Sequence, residues 1–506
     1  METEIELKFF VEPEFADVLR KKIAQHKVLQ HSRRELGNIY FDTPDNWLRQ
    51  HDIGMRIRSV EGARVQTVKT AGRVVAGLHQ RPEFNAPIDS DQPDVNLHPE
   101  DIWPEQRDLE QLQDQLAPLF QTNFMREQWL VGTTDGSQIE VAFDQGVVEA
   151  GDKQSPICEV ELELKSGQTD ALFSLARELS ESGGMRLGNM SKAARGYRLA
   201  FDAPAREPKP ITLVNTRFDD SAEDCLINSL EHALSQWLYH DEVYTELDSI
   251  EALIEVRNST SYIRHILAMY GEIVPRRASA ILRQELKWLE QELEWVYRYQ
   301  CIDELTEDKG HVLRKLDAKK VLVKQLKHER QQLPNRDQVL ALFASARYTG
   351  LILDLNRWLL TRGWQPFLDD KARKLLASSI KAFSKQQLDY TWKELMDTFP
   401  VETFLDAQAY KKEYYKLSRC LYTGISFASI YDKEERMRFR LPWHDLLEGI
   451  HDLVQLDVLT PYLAALEGDE KEQLERWLAR QQSSILHAME QTRTSSLEAR
   501  PYWRED

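Results

Sequence analysis

The chain has 506 residues, of which 42% are hydrophobic and 29% charged, and its formal net charge is −18. One hydrophobic core rarely accommodates this length, so two or three domains of ordinary globular composition are expected. The negative charge argues against a general nucleic-acid binder, because such proteins neutralise phosphates with clustered basic groups.

Several other classes are disfavoured by missing patterns. The four cysteines, Cys158, Cys225, Cys301 and Cys420, are widely spaced and predict neither a disulfide framework nor a zinc site. The first residues lack a signal-peptide pattern, and no apolar stretch approaches the roughly 20 residues that span a bilayer. We therefore expect a cytoplasmic protein without a membrane segment. The sequence also lacks the phosphate-loop, GxSxG and HExxH signatures.

The first 200 residues are predicted to be rich in strands, because short runs alternate between charged and apolar residues. The candidate strands are Glu4–Phe10, Gly54–Val60, Val65–Thr70, His79–Asn85, Asn123–Val131, Ile139–Val147 and Ile157–Lys165. Helical patterns interrupt them near Glu14–His26, Glu105–Leu116 and Thr169–Ser182. This order predicts an α+β domain at residues 1–202.

A different organisation begins after residue 202. Three prolines between Ala203 and Ile211 indicate an extended linker, placed at residues 203–217. Beyond it, apolar residues recur with the 3.6-residue helical period, as at Leu282, Leu286 and Leu289. Residues 218–506 are therefore predicted to form an all-α bundle or a stack of helical hairpins.

The first strand carries a charge pattern with chemical meaning. Glu2, Glu4, Glu6 and Lys8 alternate with Ile5, Leu7 and Phe9, so the charged residues share one face of the strand. A surface strand with an apolar underside would look the same. The pattern recurs at Glu159, Glu161, Glu163 and Lys165. Two such strands would gather mutually repelling carboxylates, and oxygen ligands without His or Cys suit Mg²⁺ or Mn²⁺.

Other strands carry basic residues at alternate positions. The charged members of these runs are Arg56, Arg58, Lys69, Arg81, Glu83, Arg126, Glu140 and Asp144. If helices cover the apolar faces, these charges line the lumen of a barrel, with acids on some strands and bases on others. Such a lumen would suit a polyanion bound together with its metal ion.

Glu4-Ile-Glu6-Leu-Lys8 is similar to the ExExK signature of the triphosphate tunnel metalloenzymes, the CYTH superfamily. An Arg-x-Arg strand, a Lys strand, an Arg-x-Glu strand, a late Glu-x-Glu strand and Met190–Tyr197 follow in the family's order. The resemblance covers residues 1 to about 200. It implies a closed, antiparallel, eight-stranded β-tunnel with outer helices.

The resemblance also implies roles for individual residues. The catalytic positions would be Glu4, Glu6 and Lys8. The metal ligands would be Glu4, Glu6, Asp144, Glu161 and Glu163, with the choice among Glu159, Glu161 and Glu163 left open. The phosphate-binding groups would be Arg56, Arg58, Lys69, Arg81, Arg126, Lys192 and Arg195, together with Lys8.

Residues 218–506 resemble the CHAD domain, a helical module often fused to CYTH, through Arg347–Trp358, the helix of Arg257 and Ala499–Trp503. Usual members bind polyphosphate through His, Arg and Lys on paired helices. This chain has Ile254, Asn258 and Ser261 at positions where that family has basic residues. A structural or interaction role for this half is therefore the alternative to polyphosphate binding.

Together these resemblances imply Mg²⁺-dependent hydrolysis of inorganic triphosphate to pyrophosphate and phosphate, with Mn²⁺ as a second candidate metal. The same tunnel fold also serves thiamine triphosphatases, nucleoside triphosphatases and adenylyl cyclases, which remain alternatives. A non-catalytic polyphosphate sensor is a further alternative. The paired carboxylates argue against it, because a pure polyanion binder has little use for so many acids beside its bases.

Overall fold

Ten β-strands form in the first 200 residues of the computed structural model, which describes residues 2–75, 77–104, 108–307, 311–400 and 403–504. They are β1 (Glu2–Val11), β2 (Lys27–Asp42), β3 (Gly54–Val60), β4 (Ala63–Lys69), β5 (Arg73–Val75), β6 (Leu78–Pro87), β7 (Ala117–Gly132), β8 (Gln138–Ala150), β9 (Lys153–Ser166) and β10 (Met185–Leu187). All seven predicted strands are present. The strands β2, β5 and β10 were not predicted.

Eight of these strands close into an antiparallel ring in the order β1-β9-β8-β7-β2-β3-β4-β6, and pairing between β6 and β1 completes it. The short strands β5 and β10 add to β6 and β1 at its margin. This confirms the eight-stranded tunnel. Closure removes the unpaired strand edges that an open sheet would expose.

Helices cover the apolar outer face of the ring, as expected. The tunnel region contains α1 (Ala16–Ile23), α2 (Trp47–Gln50), α3 (Leu109–Gln115), α4 (Thr169–Ser180) and α5 (Lys192–Ala200). On β1 and β9 the apolar positions Leu7, Phe9, Val160 and Leu162 are completely buried. The charged positions of the same strands alternate with them and therefore face the lumen.

The second half is helical, as predicted. Its helices are α6 (Ala222–Leu247), α7 (Ile250–Met269), α8 (Ala280–Glu292), α9 (Trp295–Thr306), α10 (Lys319–Arg330), α11 (Arg336–Phe343), α12 (Ala346–Leu360), α13 (Asp370–Leu376), α14 (Ile380–Thr398), α15 (Ala407–Ser426), α16 (Lys433–Leu459) and α17 (Gly468–Glu498). Among the helices within the described ranges, none has the length and apolar character needed to cross a membrane.

The chain divides into two compact units that differ from the predicted boundaries. A tunnel unit comprises Met1–Glu207 with Leu340–Thr361, and a helical unit comprises Pro208–Val339 with Arg362–Asp506. The sequence-based boundary at 218–506 places all of the later helices together, whereas α12 packs in the tunnel unit. Residues 203–217, the predicted linker, form no helix or strand, but Thr216 is buried in the helical unit and donates its hydroxyl to the Ser426 carbonyl at 2.8 Å.

The tunnel unit contains one buried carboxylate that organises a turn. Asp42, 3% exposed, accepts hydrogen bonds from the amides of Thr43 (2.7 Å), Leu48 (2.9 Å) and Arg49 (3.1 Å) and from the Tyr197 hydroxyl (2.7 Å). Replacing Asp42 with alanine leaves these donors unpaired. We expect the free energy of unfolding to fall by about 3 kcal/mol or more.

Urea unfolding followed by tryptophan fluorescence measures this effect. Tyr197→Phe is the matched control, because it removes only one of the hydrogen bonds to Asp42 and should cost about 1 kcal/mol. Equal destabilisation by Asp42→Ala and Tyr197→Phe would contradict the role given to Asp42.

Candidate active site

Strand register brings the charged residues of the tunnel together. Directly opposed residues of an antiparallel pair lie on the same face. Lys8 is opposite Glu161 and Glu6 is opposite Glu163 across β1 and β9, whereas Asp144 of β8 is opposite Glu159. Arg126 of β7 is in turn opposite Asp144. The lumen-facing charges of four neighbouring strands therefore form one continuous surface.

Three carboxylates form the most buried part of this surface. They belong to Asp144, Glu159 and Glu161. One carboxylate oxygen from each lies within 4.8 Å of one oxygen from each of the other two. Asp144 and Glu159 are completely buried. Burial raises the pKa of Glu161, but Lys192 and Lys8 outweigh it and hold the pKa well below its ordinary value. The cluster is therefore ionised near neutral pH.

Four basic side chains neutralise these acids. Lys8 Nζ lies 3.2 Å from Glu159 Oε1 and also contacts Glu161. Lys192 Nζ lies 2.6 Å from Asp144 Oδ2 and 3.1 Å from Glu161 Oε1. The other two bases are guanidinium groups. Arg126 binds both oxygens of Asp144, at 2.7 and 2.6 Å, and Arg195 binds Glu159.

A second group of acids, Glu4, Glu6 and Glu163, has fewer neighbouring cations than the first group. Burial is the main cause that raises the pKa of Glu163 to about 7, and the charges of Glu4 and Glu140 add to it. Lys165 Nζ, which donates to Glu163 Oε1 at 2.7 Å, opposes this rise. Burial and the neighbouring Glu6 likewise raise the pKa of Glu4. The Glu6 side chain forms no hydrogen bond or ion pair within the described ranges. Crowded carboxylates with raised pKa values would be stabilised by a divalent cation, and their oxygen atoms are the donors that Mg²⁺ and Mn²⁺ prefer. The donor set therefore fits such a metal.

The strand β3 carries two basic side chains, Arg56 and Arg58, that form no salt bridge with a carboxylate among the described residues. Arg58 Nε donates to Asn38 Oδ1 at 2.9 Å, and no carboxylate pairs with Arg58 among the residues the structure describes. One terminal nitrogen of Arg56 lies 3.5 Å from the Tyr40 hydroxyl. The buried Nε of Arg56 has no hydrogen-bond partner among the described residues. Burial, followed by the charges of Arg56 and Arg126, lowers the pKa of Arg58 to about 9. Unneutralised guanidinium groups in a lumen are suited to an anion such as phosphate.

The remaining predicted residues occupy different surroundings. Lys69 contacts Glu4 and lies 2.9 Å from Glu83. Arg81, opposite Glu4 in the register, pairs instead with Asp52 at 2.9 Å, so the structure does not join it to the buried cluster. Sequence reasoning missed Asn38 and Tyr40, because they lie on β2, which was not predicted. Their alternation with Ile39 was the available signal.

Known protein families match both halves of the chain. Residues 2–197 match the sequence model of the CYTH domain, and residues 228–464 match that of the CHAD domain. The chain is 41% identical over 197 residues to the inorganic triphosphatase of Haemophilus influenzae. That alignment covers 39% of this chain and 54% of the relative, so this chain spans about half of the relative's length.

Solved structures are similar at lower identity. The CHAD domain from the plant Ricinus communis is 20% identical with a TM-score of 0.45, over 58% of this chain and 98% of that one. A Hippeastrum protein described as an adenylyl cyclase candidate with dominant triphosphatase activity is 18% identical with a TM-score of 0.29. That match covers 38% of this chain and 95% of the other.

Proposed function

We propose, for a chain that contains a CYTH domain at residues 2–197 and a CHAD domain at residues 228–464, that its tunnel hydrolyses inorganic triphosphate with the help of a divalent metal ion. The observation that carries this proposal is the uneven charge of the lumen. Acids outnumber cations around Glu4, Glu6 and Glu163, whereas Arg56 and Arg58 form no salt bridge with a carboxylate among the described residues. A polyanion bound with its cation would compensate both imbalances.

The residues divide the chemistry between them. Glu4, Glu6, Asp144, Glu161 and Glu163 are the proposed ligands of Mg²⁺ or Mn²⁺. When bound, the metal ion would neutralise charge on the phosphate oxygens and lower the pKa of a coordinated water. The proposed phosphate-binding groups are Lys8, Arg56, Arg58, Lys69, Arg81, Arg126, Lys192 and Arg195.

The acidic cluster also prepares the tunnel for its substrate. Because Asp144, Glu159 and Glu161 already fix Lys8, Arg126, Lys192 and Arg195, these cations need little reorganisation when an anion enters. Arginine forks suit paired contacts to phosphate oxygens, whereas lysine acts as a point charge. Hydrolysis would leave pyrophosphate and phosphate as products.

The inorganic substrate is favoured by the 41% identity to a protein named inorganic triphosphatase. Phosphate release from tripolyphosphate, ATP and thiamine triphosphate, each with and without Mg²⁺, tests it. Faster release from ATP or thiamine triphosphate would move the assignment to that substrate. Tight tripolyphosphate binding without any release would identify a sensor instead.

Removing the metal should stop the reaction. We expect EDTA to reduce phosphate release from tripolyphosphate to the uncatalysed level, because the acids around Glu163 would then lack their counter-ion. Added Mg²⁺ should restore the activity, and Mn²⁺ should also support it. A malachite-green phosphate assay measures both steps, and release that persists in EDTA would contradict the metal requirement.

A further inference from the structure

The helix α12 lies within the stretch that matches the CHAD domain but belongs to the tunnel unit. It packs against α4 and β10. Its residues Tyr348, Thr349 and Ile352 are completely buried. On α4, Asp170 binds Arg357 at 2.6 and 2.7 Å, and a Cβ added to Gly350 would overlap the Arg177 guanidinium. The fit is therefore close enough to fix the position of α12 on the tunnel unit.

A buried hydrogen bond connects α12 to the strand β10. The Thr349 hydroxyl donates to the Met185 carbonyl at 2.6 Å, and both residues are completely buried. One residue before β10, the Gly184 amide donates to the carbonyl of Ala344, which precedes α12, at 2.9 Å. One side of β10 is thus held by α12.

The other side of β10 belongs to the candidate active site. Phe9 and Val11 of β1 pair with Leu187 and Met185, and the Gly188 amide donates to the Lys8 carbonyl at 3.1 Å. Only residues 188–191 separate β10 from α5, whose first turn carries Lys192. A strand of three residues is too short to hold its position alone. Its placement therefore depends on both neighbours.

We propose that Thr349 is a positioning residue for the tunnel reaction: through Met185 it fixes β10, and thereby the segment that places Lys192 and Arg195 beside the acidic cluster. This inference rests on the proposed function. It assigns part of the site to a helix from the CHAD-matched stretch. Residues 1–207 would then form an incomplete catalytic unit.

Thr349→Val tests this, because valine has nearly the same shape and lacks the hydroxyl donor. We expect kcat for tripolyphosphate to fall by about tenfold or more, since small misplacements of catalytic groups have large effects on rate. Thr361→Val is the matched control. It lies just after α12 and is exposed, and its hydroxyl donates to the Arg357 carbonyl of α12 at 2.7 Å. Its kcat should stay within about twofold of the wild type.

A double-mutant cycle separates positioning from general destabilisation. The effect of Thr349→Val on kcat should be smaller in an Arg195→Gln background, because one of the two residues to be positioned is then absent. It should persist in an Arg58→Gln background, because Arg58 lies on β3, which pairs with β2 and β4. Equal, additive effects in both backgrounds would overturn the proposal.

Hydrogen exchange gives a readout that does not require activity. In Thr349→Val, the amides of residues 188–195 should exchange about fivefold faster, as expected from the loss of one hydrogen bond. Unchanged exchange there would overturn the positioning role. If the wild-type protein releases no phosphate from tripolyphosphate, the proposed function fails, and the exchange data still decide whether Thr349 positions this segment.

Discussion

Glu6→Gln should reduce kcat/KM for tripolyphosphate by about a thousandfold or more while leaving the fold intact. Glu6 lies opposite Glu163 and beside Glu4, in the part of the lumen where acids exceed cations. Glutamine keeps the size of the side chain but removes the charge that a divalent cation requires. Because Glu6 forms no ion pair within the described ranges, its loss leaves no buried cation unpaired.

Initial rates of phosphate release and urea unfolding of the same preparation measure the two effects. The free energy of unfolding should change by less than about 0.5 kcal/mol. Glu35→Gln is the matched control. Glu35 lies on β2 at a position that faces away from the lumen and is exposed, so neither quantity should change. A Glu6→Gln protein with wild-type activity would refute the assignment of the metal site.

Arg58→Met should weaken tripolyphosphate binding by about a hundredfold or more and yet stabilise the protein. Burial beside Arg56 and Arg126 lowers the pKa of Arg58, so its charged form is disfavoured in the folded state. Its folded pKa of about 9 lies below its unfolded value, so the charge destabilises the fold at neutral pH. That destabilisation would decrease as pH rises through about 9. Methionine occupies similar volume without the charge.

The decisive result for Arg58→Met is weaker tripolyphosphate binding together with higher stability. Calorimetric titration with tripolyphosphate and Mg²⁺ gives the affinity, and urea unfolding at pH 7 gives the stability. Arg195→Met is an informative comparison, because Arg195 pairs with the buried Glu159 and its loss should destabilise the protein. A stable Arg58→Met protein that binds tripolyphosphate normally would exclude Arg58 from the phosphate site.

The ring strands with clear alternation were predictable from the sequence, and β2 was not. Gly54–Val60 was predicted and observed with the same ends. In contrast, Lys27–Glu35 is mostly polar on both faces and exposed, so it lacks the alternation that marks a half-buried strand. This stretch is a strand because β7 supplies its backbone partners, from Lys27↔Gly132 to Glu35↔Met125. Such a long-range partner cannot be read from local pattern.

The helix α12 illustrates the same difference for the second half. Residues 338–360 have helical periodicity, and the structure forms two helices there, with Ser345 capping the second through the Tyr348 amide at 3.3 Å. Periodicity indicated helix but not the surface against which the helix packs. The contact with Met185 joins residues 164 positions apart, and no local property of either segment encodes it.

The sequence by itself determined which residues of each strand carry charge and share a face, because the two-residue period of a strand is a local property of the backbone. It therefore identified Glu4, Glu6, Lys8 and the later Glu159–Glu163 series as one kind of surface. The tertiary structure decided which of these charges neutralise one another. Lys8 and Lys192 pair with Glu159 and Glu161 of β9, whereas Arg56 and Arg58 form no salt bridge with a carboxylate among the described residues. That division depends on ring closure and register, which arise from pairings between strands far apart in the chain.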